Sequence, residues 1–248
     1  MRRTSQLLGL AVLASIAAAI WAARSGGAVH ARESMSRGAA PGRLGSRLNS
    51  AMDAPMYRAI AAALDLRPDD EVLDVACGWG EFLVAHAAGA RRVAGVDLTP
   101  EKVALARERL ARRIADGTAE VAEGDAAALP WPADTFSAVT CMDAYPFFPD
   151  PRAVLAEVFR VLRPGGRAVI SFAAEQLPNG VESRQSRGIA GVYTAISATV
   201  TTRMMAEAGF DPVTLSWAPI AGDHRLFGAA LRAAGGDQLD VVVGHKPA

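Results

Sequence analysis

Three aspartates, Asp74, Asp97 and Asp125, each follow a short apolar or alternating run. Asp74 precedes the turn Ala76-Cys77-Gly78-Trp79-Gly80. Glycine adopts left-handed backbone angles and lets a backbone approach a ligand closely. Asp97 closes a second apolar run, where an acidic side chain can accept hydrogen bonds from both hydroxyls of a ribose. The turn holds no lysine or arginine to meet a phosphate. A dinucleotide site would add a further glycine near Leu83, and none is there. The pattern therefore suits a nucleoside-containing ligand whose other end is cationic. Plain turn chemistry is the alternative: Asp74 could cap a turn and Asp125 could sit on a surface loop.

A second group of candidates follows the run Phe136–Met142: Asp143-Ala144-Tyr145-Pro146-Phe147-Phe148-Pro149. Asp143 and Tyr145 are the titratable side chains before Asp150. Asp143 is expected to orient a donor or act as a base, with a helix-capping or loop role as the alternative. Tyr145, Phe147 and Phe148 are expected to wall an apolar substrate pocket, with ordinary packing as the alternative. Of the histidines, His224 is the candidate for substrate contact. His86 is expected to be packed or at the surface, and His30 and His245 to be uninvolved. No His or Cys spacing resembles a metal site. Cys77 and Cys141 are expected to be two buried thiols, with a disulfide as the alternative.

These residues need a scaffold, and the hydrophobic pattern supplies one. Short apolar runs at Glu71–Val75, Arg92–Asp97, Thr118–Glu123, Phe136–Met142 and Arg167–Phe172 predict strands. Helical periodicity appears at Val103, Ala106, Leu110 and Ile114, and again through Val154, Leu155, Val158, Val161 and Leu162. Thr99 followed by Pro100 predicts a capped helix start, and Pro164-Gly165-Gly166 predicts a helix stop. A last helix is expected at Thr201–Ala208, with strands near Val213–Trp217 and Leu239–His245. Alternation of strands and helices predicts an α/β fold: a doubly wound, mostly parallel seven-stranded Rossmann-like sheet with helices on both faces.

Five segments in order resemble the class I S-adenosylmethionine-dependent methyltransferases. Val72-Leu73-Asp74-Val75-Ala76-Cys77-Gly78-Trp79-Gly80 is similar to their first motif, with Ala76 where glycine is usual. Gly95-Val96-Asp97-Leu98-Thr99 resembles the ribose-binding segment. Gly124-Asp125-Ala126 with Leu129-Pro130-Trp131-Pro132 resembles the adenine-binding segment. Phe136-Ser137-Ala138-Val139 resembles the fourth strand, and Arg160 to Gly166 the turn before the fifth. The resemblance implies S-adenosylmethionine as cofactor, held by Asp74, Ala76, Gly78, Gly80, Asp97, Leu98, Asp125 and Ala126. Asp74 and the turn would hold the methionine end, Asp97 the ribose, and Asp125 with the Ala126 N–H the adenine. It implies methyl transfer to a small, partly apolar acceptor, with Asp143 and Tyr145 positioning it, and is closest in motif style to enzymes of quinones and similar metabolites. Arg37–Tyr57 and Ala174–Ile196 would set selectivity, and Gly180–Gly191 suits a lid. A cofactor-binding protein without methyl transfer and a dinucleotide oxidoreductase are the alternatives.

The 248 residues carry zero formal net charge, which argues against a nucleic-acid partner. At 51% apolar, the chain can fill a sizeable core. Leu7–Ala23 is apolar apart from Gly9 and Ser15, long enough at the lower limit for a membrane span. Arg24, Arg32, Arg37, Arg43 and Arg47 outweigh Arg2 and Arg3, so the positive-inside rule predicts a cytoplasmic domain on an uncleaved anchor, with a signal peptide cleaved near Val29-His30-Ala31 or an untranslated stretch as the alternatives. The expected organisation is a leader over 1–33, a flexible linker over 34–50 and the catalytic domain over 51–248.

Overall fold

Glu71–Val75 (β1) is buried at every position, the pattern of a central strand covered on both faces. Around it a computed structural model describes residues 54–145, 148–172, 183–188, 191–219 and 238–248. The remaining strands are β2 (Arg92–Asp97), β3 (Ala119–Glu123), β4 (Phe136–Met142), β5 (Leu162–Phe172), β6 (Ser183–Gly188), β7 (Gly191–Ile196), β8 (Val213–Pro219) and β9 (Gln238–His245). The helices are α1 (54–63), α2 (Glu81–Ala85), α3 (Pro100–Arg109), α4 (Ala111–Ala115), α5 (Pro151–Val161) and α6 (Ala198–Glu207).

Seven strands form one sheet in the order β3-β2-β1-β4-β5-β9-β8. Neighbours from β3 to β5 are parallel, and β9 alone is reversed, pairing antiparallel with both β5 and β8. The expected doubly wound sheet is thus present. Leu73, Val75, Val139, Cys141 and Ile170 face one core with Val154, Leu155 and Val158 of α5 and Met204 and Met205 of α6. Val72, Ala138 and Val169 face the other, with Met56 and Ile60 of α1, Phe82 and Leu83 of α2, and Val103 and Ala106 of α3.

The end of the sheet away from the glycine turn is tied by a buried charge network. Asp70, just before β1, accepts from the Arg167 guanidinium at 3.1 and 2.6 Å, from the Ser137 hydroxyl at 2.6 Å and from the Arg67 N–H at 2.7 Å. Arg167 also donates to the carbonyls of Leu64 and Asp65, fastening the chain after α1 to β5. Burial alone would raise the Asp70 pKa; the bonds from Arg167, Ser137 and Arg67 outweigh it and hold the carboxyl below its ordinary value.

Several local expectations change. The single helix through Ile114 breaks at Leu110: Val103, Ala106 and Leu110 are buried, but Ile114 is 37% exposed, on the separate short α4. Thr99 makes no side-chain cap bond to α3; its own N–H is drawn to Asp97 instead. β5 begins at Leu162, pairing with Phe136, and pairing resumes only between Ala138 and Arg167. Pro164-Gly165-Gly166 is thus a bulge within a strand rather than a turn before one, with Gly165 at φ 74°. α6 starts at Ala198, ahead of the expected Thr201, because the Ser197 side chain accepts from the Val200 N–H. Within the expected lid, Ser183–Gly188 and Gly191–Ile196 form a two-stranded antiparallel hairpin that sequence periodicity did not reveal. The leader Leu7–Ala23 and the linker lie outside the described residues. No helix among the described residues is long and apolar enough to cross a membrane.

Candidate cofactor site

β1 runs into a turn whose backbone is left-handed at three positions: Ala76 (φ 59°), Gly78 (φ 54°) and Gly80 (φ 72°). Gly80 carries the freedom its place requires, because a Cβ there would lie 3.2 Å from Ala106 Cβ on α3. Ala76 adopts the same region with a methyl group, a conformation that disfavours any residue with a Cβ. The turn rests on β2. The Cys77 N–H donates to the Val96 carbonyl at 2.9 Å, and a Cβ on Gly95 would come within 2.7 Å of Cys77 Sγ. Gly95 is thus what lets the turn lie against the second strand. Arg109 reaches over from α3 to donate to the Trp79 carbonyl at 3.3 Å and to pair with Glu81.

Asp97 locks this arrangement. One carboxylate oxygen accepts from the Gly78 N–H and the other from the Thr99 N–H, both at 2.9 Å, and its backbone carbonyl accepts from the Gly124 N–H at 3.1 Å. One side chain therefore joins the glycine turn, the end of β2 and the segment after β3. Asp97 is 7% exposed, while its neighbour Leu98 is 73% exposed, a large apolar side chain at the strand end. Asp125 is exposed and caps its own turn, accepting from the Ala127 N–H at 2.9 Å; Ala126 beside it is buried.

Asp74 is the anomaly. It is 1% exposed, and neither carboxylate oxygen has a hydrogen-bond partner. Burial first, and then the charge of Asp97, push its pKa well above the carboxylate range. A buried acid with no donor is costly unless something else supplies one. The chemistry of the turn, an orphaned acid and no basic residue, fits a cofactor with a cationic end: Asp74 and the Ala76–Gly80 turn would hold that end and Asp97 the ribose. S-adenosylmethionine satisfies this test, and a pyrophosphate does not.

At the end of β4, Asp143 is partly buried with φ 54°, and its N–H donates to the Ser171 carbonyl at 3.1 Å. Tyr145 is fully buried in the core under α5, and its hydroxyl donates to the Pro151 carbonyl at 3.1 Å. Phe148 packs edge-on against it at 6.1 Å; Phe147 lies outside the described residues. Cys77 and Cys141 are both buried free thiols, and burial raises both pKa values. His86 stacks on Phe82 at 6.1 Å and packs at a tilt against Tyr57 at 5.4 Å between ring centres. β8 ends and β9 begins at the rim that carries Asp97, but His224, between them, lies outside the described residues. Among the described residues no cluster of His, Cys, Asp and Glu could hold a metal. The residues that sequence reasoning missed are Gly95 and Arg109. Gly95 was readable only as part of a motif, and Arg109 carries no local signal.

Residues 72–166 match the family model described as a methyltransferase domain. The chain is 31% identical over 158 residues to a 27-O-demethylrifamycin SV methyltransferase of Amycolatopsis mediterranei, covering 62% of this chain and 58% of that protein. It is 38% identical over 125 residues to a demethylmenaquinone methyltransferase of Deinococcus radiodurans, covering 50% and 51%. The matched part thus spans little more than half of these relatives. In fold it is similar to a phosphoethanolamine N-methyltransferase of Haemonchus contortus solved with S-adenosylhomocysteine, at TM-score 0.59 and 16% identity, over 78% of this chain and 52% of that one. The glycine turn, Asp97 and the orphaned Asp74 all lie in the segment that matches the methyltransferase domain.

Proposed function

We propose that this chain transfers the methyl group of S-adenosylmethionine to a small, partly apolar acceptor. The observation that carries the reading is Asp74, a buried acid without a donor, beside a turn whose Gly78 N–H donates to Asp97. When bound, the cofactor supplies a sulfonium methyl that an acceptor nucleophile attacks in line, the C–S electron pair leaving with sulfur. The residues of the chain bind and orient. Asp74 faces the cationic end, Asp97 accepts from the ribose hydroxyls, and Leu98 offers apolar surface to the adenine. Asp125 accepts from the adenine amino group with its remaining oxygen, and the Ala126 N–H donates to the ring. Asp143 positions the acceptor. Tyr145 acts at one remove, holding the segment after β4 through its bond to Pro151. Positioning supplies most of the acceleration in such a displacement. The named relatives that act on a rifamycin and on demethylmenaquinone support a small-molecule acceptor. Residues 51–248 would form the catalytic domain, and Leu7–Ala23 would tether it to the inner face of the membrane.

The test is calorimetric titration with S-adenosylmethionine and with NAD, followed by a screen of quinols, phenols and other small hydroxylated acceptors using methyl-labelled cofactor. Binding of NAD and not S-adenosylmethionine would overturn the reading. Binding of S-adenosylmethionine with no labelled product from any acceptor would favour the alternative, a cofactor-binding protein that does not methylate.

A further inference from the structure

On the sheet face covered by α1 and α2, three buried polar side chains stand in a row without hydrogen-bond partners: Asp74 on β1, Thr140 on β4 and Ser171 on β5. Their neighbours on that face, Val72, Ala138, Met142 and Val169, are apolar. Asp74 and Thr140 are register partners on adjacent parallel strands, so their side chains leave the same face about 4.8 Å apart. Thr140 pairs in turn with Val169, and Ser171 lies two residues farther along β5, on that same face and nearer the rim. The Ser171 carbonyl accepts from the Asp143 N–H, so the row ends beneath the loop that follows β4.

Valine at 140 and alanine at 171 would fill nearly the same volume without burying an unpaired hydroxyl, which costs about 1–3 kcal/mol. Resting on the functional reading above, we propose that Thr140 is a positioning residue of the cofactor site: its hydroxyl donates to Asp74, its register partner, once the cofactor's ammonium engages that carboxylate. The Asp74 carboxylate has acceptor sites for both the ammonium and the Thr140 hydroxyl. The unpartnered state seen here is then the resting arrangement of a relay completed by the ligand.

The test uses Thr140→Val, which keeps the shape, and Thr140→Ser, which keeps the hydroxyl. Each is titrated with S-adenosylmethionine and with methylthioadenosine, which has the same nucleoside and sulfur but no amino-acid end. Thr140→Val is expected to weaken S-adenosylmethionine about fivefold and to leave methylthioadenosine unchanged, with an unaltered or higher melting temperature in the free protein. Thr140→Ser is expected to bind like wild type. Wild-type binding of S-adenosylmethionine with no change in Thr140→Val, or an equal loss on both ligands, would overturn the relay and leave the functional reading intact. Failure of the wild-type protein to bind S-adenosylmethionine would overturn both.

Discussion

Asp97→Ala is the most demanding perturbation of the cofactor site, because the carboxylate has two separable duties. In the free protein it satisfies the Gly78 and Thr99 N–H groups at 2.9 Å each. Leaving two mostly buried donors without an acceptor costs about 1–3 kcal/mol apiece, partly relieved where water can enter. A stability loss of about 2–4 kcal/mol follows, read as a lower urea midpoint with the same slope. On the proposed function the same carboxylate would accept from two ribose hydroxyls, and the freed turn would also have to be reordered on binding. Affinity for S-adenosylmethionine should fall by about 1.5–3 kcal/mol, roughly 10- to 150-fold. Asp97→Asn keeps one acceptor oxygen and should fall between wild type and alanine in both measurements. Calorimetry with S-adenosylmethionine and with its 2′,3′-dideoxy analogue separates the duties: the ribose bonds vanish from the analogue, whereas the ordering of the turn does not. Affinity of Asp97→Ala within about threefold of wild type would refute the assignment.

Other substitutions probe the surroundings. Asp70→Ala strands the buried Arg167 charge and should cost about 3–5 kcal/mol in urea unfolding while cofactor affinity is retained. Because the folded pKa of Asp70 lies below the unfolded value of about 3.9, its contribution is present above that pH and lost as pH falls through the folded value; Asp70→Asn should flatten that acid limb of the stability profile. Ala76→Gly removes a Cβ from a left-handed position and should raise stability by about 1 kcal/mol, or about 2–4 °C in melting temperature. Asp143→Asn should reduce turnover about tenfold if the residue only positions the acceptor; a loss of about 100-fold or more that shrinks as pH rises, with cofactor affinity intact, would make it a general base.

The succession of the sheet's strands along the chain and the position of the glycine turn were legible because both rest on local patterns. β1 and β4 are continuous apolar runs, and the turn needs glycine at Gly78 and Gly80. What stayed hidden depends on contacts distant in sequence. Nothing near Ser171 says that it shares a face with Asp74, since that follows from strand register across β4. Tyr145 read as a pocket wall from its neighbours, yet its hydroxyl is turned to Pro151 under α5. The Thr99 cap failed for a physical reason: Asp97 offered the Thr99 N–H a charged acceptor two residues back. The hairpin of β6 and β7 escaped because Ser183–Gly188 is polar throughout and carries no alternation of apolar residues.

The sheet keeps its two ends for different purposes. The Asp70–Arg167–Ser137 network binds β1, β4 and β5 at their starts, whereas Asp74, Asp97 and Asp143 all stand near the opposite ends. A change in the segments that leave β4, β5 and β8 therefore leaves the chief buried ion pair untouched. On the proposed function, exchange of the exposed parts of those segments, by drift or by deliberate grafting, would retune acceptor recognition while the network goes on holding the strand starts together. Selectivity and durability can then be optimised in separate rounds, on separate sets of residues.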